Sequence, residues 1–239
     1  MSEKILKGKA YGSIPHLLDS RLGEGDHHCH EGQHNICTKE VRDYNDIVIV
    51  QEKLDGSCVS IYKPSHCDLK FITRSGYETR TSLYQQHHIF NDWGLKPDNY
   101  TRFQGLLQVG ERAVGEWLYQ VHSTRYTLHH EPFVLFDIMK GGVRMPYLEL
   151  LKRAYKYGFT TPKLVNYGQS ISTKQVMKLL KTSGHGAIDP VEGAVWRVER
   201  NGKVDFLCKY VRCDKIDGLY MKEEIWNDSV DKKEITNET

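Results

Sequence analysis

At 239 residues, with 27% charged and 39% hydrophobic side chains, the chain has the composition of a folded domain and not of a disordered one, with room for one sizeable core. Its net charge of +2, from 33 basic and 31 acidic residues, neither demands nor excludes a polyanionic partner, because a local patch can sit on a nearly neutral molecule. No stretch approaches the roughly 20 apolar residues of a membrane span, and MSEKILKGKAYGS lacks the apolar centre of a signal peptide, so a membrane role is excluded and a soluble, cytoplasmic chain is expected.

Residues 1–46 read as a loop-rich N-terminal part around one short element, since turn formers and histidines dominate from residue 12 without a sustained period. From DIVIVQEKLDGSCVSIYK to LKFITRSG, β-branched runs bounded by Gly, Pro, Asp and Ser predict antiparallel strands, with Lys53 at a strand end or turn. Residues 81–108 read as helical or mixed. AVGEWLYQVH and EPFVLFDIMK predict two strands that place Glu116 and Phe136 on neighbours. YLELLKRAYKYG and STKQVMKLLKTSG carry apolar residues at helical spacing between Pro or Ser/Thr starts and Gly ends. EGAVWRVER and KVDFLCKYVR flank Asn201-Gly202, the strongest short hairpin signal in the chain. Beyond residue 213, a short helical piece and a polar tail to 239 complete what reads as a single domain, with its chemistry in 47–213.

Six cysteines, Cys29, Cys37, Cys58, Cys67, Cys208 and Cys213, have no paired spacing and no secreted context, so free thiols are expected. The cluster His27, His28, Cys29, His30, His34 and Cys37 has ligand types that suit zinc. Adjacent side chains cannot all reach one ion, however, and the spacing matches no regular finger, so a polar loop near the active site is the preferred reading and zinc is not expected. His87-His88 and His129-His130 read as surface residues.

Lys53-Leu54-Asp55-Gly56 holds an amine beside a turn where a small residue lets backbone approach a ligand. Alone it says little, since K-x-D-G arises by chance in roughly one chain of this length in twenty, and a solvated lysine is the blander alternative. Four further segments follow in order: Gly115-Glu116-Trp117, Phe133 to Asp137, Glu192-Gly193-Ala194-Val195, and the strand of Lys209. Together the five resemble motifs I, III, IIIa, IV and V of the covalent nucleotidyltransferases, the superfamily of DNA ligases, RNA ligases and mRNA capping enzymes, over residues 50 to 212.

That resemblance implies an α+β nucleotidyltransferase (ligase adenylation) core, two antiparallel β-sheets with flanking helices and a nucleotide groove between them. It implies that Lys53 attacks ATP to form a lysyl-AMP, with Lys209 lowering the amine pKa from its free value near 10.4 and holding the α-phosphate. Glu192 would bind Mg²⁺ or Mn²⁺, Glu116 would accept from the ribose, and Phe136 would stack on the purine, with core packing as its rival role. Asp55 and Gly56 belong to the nucleophile's motif. Glu52 matches a position that reads the adenine amino group and favours ATP over GTP. Arg74 resembles an arginine that contacts nucleotide or RNA phosphate, a surface salt bridge being its alternative.

Two departures narrow the family. Motif V commonly has two lysines one residue apart, whereas this chain has Lys209-Tyr210-Val211-Arg212, so either Arg212 supplies the second charge or Lys209 acts alone. No OB-fold domain follows, which fits ATP-dependent RNA ligases of the nick-sealing kind better than DNA ligases or capping enzymes. The expected activity is adenylylation of an RNA 5′-phosphate and its joining to a 3′-OH, a protein partner being able to supply a missing C-terminal domain. The alternatives are a minimal DNA ligase or other AMP-transferring enzyme, and an inactive nucleotide or RNA-end binding protein.

Overall fold

The computed structural model describes residues 4–223 and 225–228; most of the polar tail expected from the sequence lies outside the described residues. In chain order the elements are α1 (Glu31–Thr38), β1 (Asp46–Lys53), β2 (Ser57–Ser65), β3 (Asp68–Thr73), α2 (Gln85–Leu95), α3 (Pro97–Leu106), β4 (Glu111–Trp117), β5 (Phe133–Lys140), β6 (Val143–Arg144), α4 (Tyr147–Lys156), β7 (Leu164–Gly168), α5 (Thr173–Leu179), β8 (Gly193–Arg200) and β9 (Lys203–Val211). Short 3₁₀ turns occupy Thr79–Thr81 and Met221–Glu223.

The strands form two antiparallel sheets, as expected, each in its own compact unit. The first unit comprises Gly56–Gln120 and Pro132–Thr161 with residues up to Gly12, around a five-stranded sheet in the order β3-β2-β4-β5-β6. Helices α2 and α3 meet at Lys96-Pro97, where proline takes the first position of α3 and its missing N–H costs nothing. They close over an aromatic core of Phe71, Phe90, Trp93, Phe103, Trp117 and Phe133, all buried. Phe90 meets the Trp117 ring edge at 5.3 Å, a geometry that matches the positive rim of one ring to the negative face of another.

The second unit comprises Ser13–Asp55, Val121–Glu131 and Pro162 onward, around a four-stranded sheet in the order β7-β1-β8-β9. β1 is interior, and six of its eight residues are buried, which explains its continuous apolar run. The β8–β9 turn has Asn201 at φ 50° and Gly202 at φ 71°, the paired positive φ that fits the twist of a two-residue hairpin. Ser172 caps α5 by accepting from Gln175 N, and the Gln175 side chain returns to the Ser172 backbone, a capping box.

Two short strands escaped the sequence reading. β6 has two residues, and β7, LVNYG, is an edge strand with no buried residue, so neither alternates apolar with polar. The expected polar character of the 27–37 segment is corrected for its cysteines. Cys29 and Cys37 are buried with Cys208, Val48 and Trp196 in the core of the second unit, and all six cysteines are free thiols.

Two glycine substitutions test the packing. Gly94, inside α2, has no room for a Cβ, which would meet the Phe71 ring at 2.1 Å, whereas Gly32 in α1 has nothing within 4 Å. Helix propensity favours alanine at both by about 0.5–1 kcal/mol, but overpacking costs about 1–3 kcal/mol. Gly32→Ala should therefore raise the urea midpoint and Gly94→Ala lower it; equal shifts would contradict this packing.

Candidate functional site

In the second unit the register of β1 on β8 runs from Asp46 opposite Arg200 to Lys53 opposite Gly193. The last residue of β1 is thereby set beside the residue that follows Glu192. A Cβ at Gly193 would collide with the Tyr210 carbonyl on β9, so the close approach of β8 to β9 requires glycine. Lys209 pairs with Val195 across the same hairpin, and Arg212 N donates to Glu192 O at 3.0 Å.

These backbones bring together a small buried charge network. Lys53 Nζ donates to Glu192 Oε2 at 2.5 Å, and the other carboxylate oxygen, Oε1, accepts from Lys215 Nζ at 2.5 Å. Lys215 also donates to Asp55 Oδ1 at 2.9 Å, while Asp55 Oδ2 accepts from Ser123 N at 2.8 Å. Glu192, Asp55 and Lys215 are all buried. Burial alone would raise the Asp55 carboxyl, but the Lys215 ammonium outweighs it and holds Asp55 below the usual carboxylate range. Burial likewise opposes the Lys215 charge, yet Glu192 and Asp55 hold its pKa above that of a free lysine.

Lys215 is the residue that sequence reasoning missed. It lies in a turn beyond β9, in CDKID, without a motif to mark it. Arg212, the candidate for a second charge beside Lys209, pairs through NH1 with Asp214 at 2.8 Å, and the second ammonium on the Glu192 carboxylate is Lys215.

Lys53 and Glu192 open onto a cleft of about 270 Å³, shared with Lys209, His16, Arg21 and Asp26. The loop before α1 shapes it by hydrogen bonding along β9: Lys209 N donates to Pro15 O at 2.9 Å and Leu17 N to Lys209 O at 2.8 Å. The same loop delivers Asp26, whose Oδ1 lies 3.4 Å from Lys209 Nζ and whose Oδ2 lies 2.8 Å from His16 Nε2. Burial, then the nearby Lys53 charge, depresses the Lys209 pKa despite Asp26. Burial and Lys209 depress His16 too.

Glu52 is buried, its carboxylate accepting from Ser183 Oγ at 2.5 Å and Gly184 N at 2.8 Å. Burial raises its pKa, moderated by these donors. The same loop carries His185, which accepts from Lys163 N through Nε2 at 3.2 Å and lies 2.8 Å from His130 Nε2 through Nδ1. Burial drives His185 down to about 3, which keeps it a neutral acceptor. His130 is thus half-buried and partnered rather than a plain surface residue, because its neighbour strand end brings His185 against it.

The first unit holds Gly56, Arg74, Glu116 and Phe136. Glu116 on β4 accepts from Gly56 N at 3.1 Å, and a Cβ on Gly56 would meet Trp117 O at 2.5 Å, so this tight approach also requires glycine. Glu116 and Phe136 are on adjacent strands as expected. The β4–β5 register shifts so that Val114 faces Asp137 and Gly115 faces Leu135, which leaves Phe136 as the extra residue of a β-bulge, a device that re-aims a side chain. Phe136 is half-buried and absent from the aromatic core, its ring meeting Tyr11 edge-on at 5.2 Å. Arg74 is exposed, and its carbonyl accepts from Ala10 N at 2.8 Å.

Among the described residues no group of three or more His, Cys, Asp or Glu is arranged to hold a metal ion, and no helix is long and apolar enough to cross a membrane.

No curated protein sequence matches the chain. Solved structures similar to it include an archaeal ATP-dependent RNA ligase (form 2), with 18% identity, a TM-score of 0.48, and coverage of 70% of this chain and 43% of that one. A Naegleria gruberi RNA ligase variant with ATP and Mn is similar at 15% identity and TM-score 0.47, covering 71% and 51%, and the same ligase with PPi at 17% and 0.47, covering 70% and 50%. The chain thus spans about half or less of these proteins' lengths. The sequence model of the RNA ligase family matches residues 46–211, a stretch that begins with β1, ends with β9 and includes Lys53, Glu192 and Lys209. Over that stretch, well over half of its length, this chain belongs to the RNA ligase family.

Proposed function

We propose that the chain is an ATP-dependent RNA ligase that works through a lysyl-AMP on Lys53. The observation that carries this reading is the Lys53 amine at the mouth of a cleft, bonded to buried Glu192 and sharing that cleft with Lys209. In the first step Lys53 Nζ, having lost a proton, bonds to the α-phosphorus of ATP as the bond to pyrophosphate breaks. AMP then passes to an RNA 5′-phosphate, and a 3′-hydroxyl attacks that phosphorus, joins the strands and releases AMP. Each is a displacement at phosphorus that positioning and fixed positive charge accelerate.

Lys209 serves as the cation for the phosphate on which charge builds. Lys215 holds one Glu192 oxygen and Asp55, and so aims the other Glu192 oxygen at Lys53. Hard oxygen ligands fit Mg²⁺ or Mn²⁺, which keep several waters and so need few protein carboxylates; Glu192 would hold the ion, with Glu24, Asp26 and Asp217 lining the same cleft. When bound, the ion would favour the neutral lysine amine and offset phosphate charge. Glu116 is assigned to the ribose and Phe136 to the base, its bulge and half-buried ring favouring a ligand role over core packing. Glu52 can favour adenine through the acceptor sites that Ser183 and Gly184 leave, since a carboxylate has about four. Arg74 is assigned to phosphate. RNA as acceptor is the reading that goes with the family; a DNA end remains the rival substrate.

Incubation with α-labelled ATP and a divalent cation should place an AMP-sized adduct on the wild-type chain. Lys53→Ala should abolish it, Lys209→Ala should slow it on the order of 10²–10³-fold, and GTP should label poorly. No adduct on wild-type protein stripped of AMP by pyrophosphate would sink the ligase reading in favour of a binding protein.

Lys215→Met tests the buried network. In the wild type Asp55 has a depressed pKa, so its contribution to stability is present above its ordinary value and lost as pH falls through the folded one. Without Lys215 burial raises Asp55, and the penalty, about 3–5 kcal/mol for a broken buried pair, should be largest near neutral pH and shrink toward acid. Urea titrations across that range should show the deficit narrowing as pH falls; a constant deficit would show that Lys215 is not the charge partner.

A further inference from the structure

The loop that holds Glu52 is itself held, by a pair of histidines that the steps above do not use. Ser183 Oγ donates to Glu52 Oε1 at 2.5 Å while it accepts from His185 N at 2.9 Å, so the direction of the hydroxyl proton is fixed. Gly184 N donates to Glu52 Oε2 at 2.8 Å. Lys163 joins the strand and the loop: its carbonyl accepts from Glu52 N at 2.9 Å, and its N–H donates to His185 Nε2 at 3.2 Å. A Cβ on Gly184 would meet Lys163 Cβ at 2.6 Å, and one on Gly186 would meet Thr127 O at 2.1 Å, so glycines let the loop lie between these neighbours.

Lys163 N fixes the tautomers of both rings. A backbone N–H only donates, so His185 Nε2 is bare and Nδ1 carries the proton. That proton goes to His130 Nε2, 2.8 Å away, and His130 Nδ1 donates in turn to Glu131 O at 2.5 Å. Both rings are neutral in this chain of bonds, and burial depresses the pKa of each. A proton added to His130 Nε2 would set one N–H against another and break it.

The donors also govern what Glu52 can recognise. Glu52 is 2% exposed, and burial pushes its carboxyl up against the pull of Ser183, Gly184 and the Lys163 ammonium. Tyr126, which feels the Glu52 charge, is held well above its ordinary value by burial and stays neutral. An ionised carboxylate only accepts, which suits the adenine amino group, whereas a protonated one gains an O–H that can donate to the guanine carbonyl.

We propose that His185, with His130 behind it, is a positioning residue for base selection: it aims Ser183 and Gly184 at Glu52, which keeps that carboxylate an acceptor and favours ATP over GTP. The inference rests on the ligase reading through the assignment of Glu52 to the purine; the hydrogen-bonded chain from His130 to Glu52 stands on the structure.

The test compares ATP with GTP on the full chain in two ways. One is the ratio of kcat/KM for formation of the lysyl-nucleotide; the other is the ratio of Kd for the α,β-methylene analogues of the two nucleotides, which bind without transfer. His185→Leu and Ser183→Ala should each lower both ratios about tenfold, more through KM for ATP than through kcat. The preference should fade as pH falls and Glu52 takes up a proton, and in both variants the fading should begin at higher pH, because lost donors raise the carboxyl further. His185→Gln, whose amide oxygen offers Lys163 N an acceptor, should regain most of the preference, which separates positioning from a general fold defect. Ratios unmoved in His185→Leu and Ser183→Ala, while Glu52→Ala loses the preference, would overturn the positioning role and leave the ligase reading intact. An unmoved ratio in Glu52→Ala would overturn it as well. Wild type that forms no lysyl-AMP yet shows these shifts in analogue binding would overturn the ligase reading and leave the positioning role standing.

Discussion

A buried carboxylate between two ammonium groups is the interaction around which the second unit is arranged. Removing a charge from water costs several kcal/mol unless partners replace the lost hydration, and Glu192 is only 4% exposed. Lys53 pairs with one oxygen and Lys215 with the other, and Asp55 completes a set of two acids and two bases. Such a set is held by geometry more than by strength. It needs β1 in register with β8 so that Lys53 meets Gly193, a glycine where β8 nears β9, and a turn after β9 that folds Lys215 back.

The cost of that arrangement is also its use. The network holds the Lys53 amine in a defined position against Glu192. Lys209 differs, being depressed by burial and by Lys53 rather than sustained by a full carboxylate pair. Asp26, delivered by the loop bound along β9, offsets part of that depression. Two lysines thus share one cleft in different surroundings, Lys53 against Glu192 and Lys209 against Asp26.

The first unit solves a different problem. Its rings Phe71, Phe90, Trp93, Phe103, Trp117 and Phe133 interlock so closely that Gly94 and Gly115 cannot take a Cβ, and that rigidity lets a single bulge act locally. Phe133 and Phe136 are three residues apart on one strand, an odd spacing that points them to opposite faces, one sealed in the core and the other half-buried against Tyr11.

Much of this was legible in the sequence because it depends on short stretches of chain. The Asn201-Gly202 turn, the Ser172 cap, the Pro97 helix start and the strand that ends at Lys53 each follow from local backbone preferences, and the five ordered segments pointed to the family that residues 46–211 match. What escaped was decided over long separations. β7 is a strand because β1 offers it an edge, not because its residues alternate. Cys29 and Cys37, read as polar loop, are core because Trp196 and Cys208 cover them. Lys215 meets Asp55 from 160 positions away and Asp26 meets Lys209 from 183. The sequence determined where strands end and turns begin, Lys53 at the end of β1 among them, since a strand and its turn are written in consecutive residues; only the tertiary structure decided which charges surround them, since a buried charge is stable only beside a partner that the fold itself must deliver.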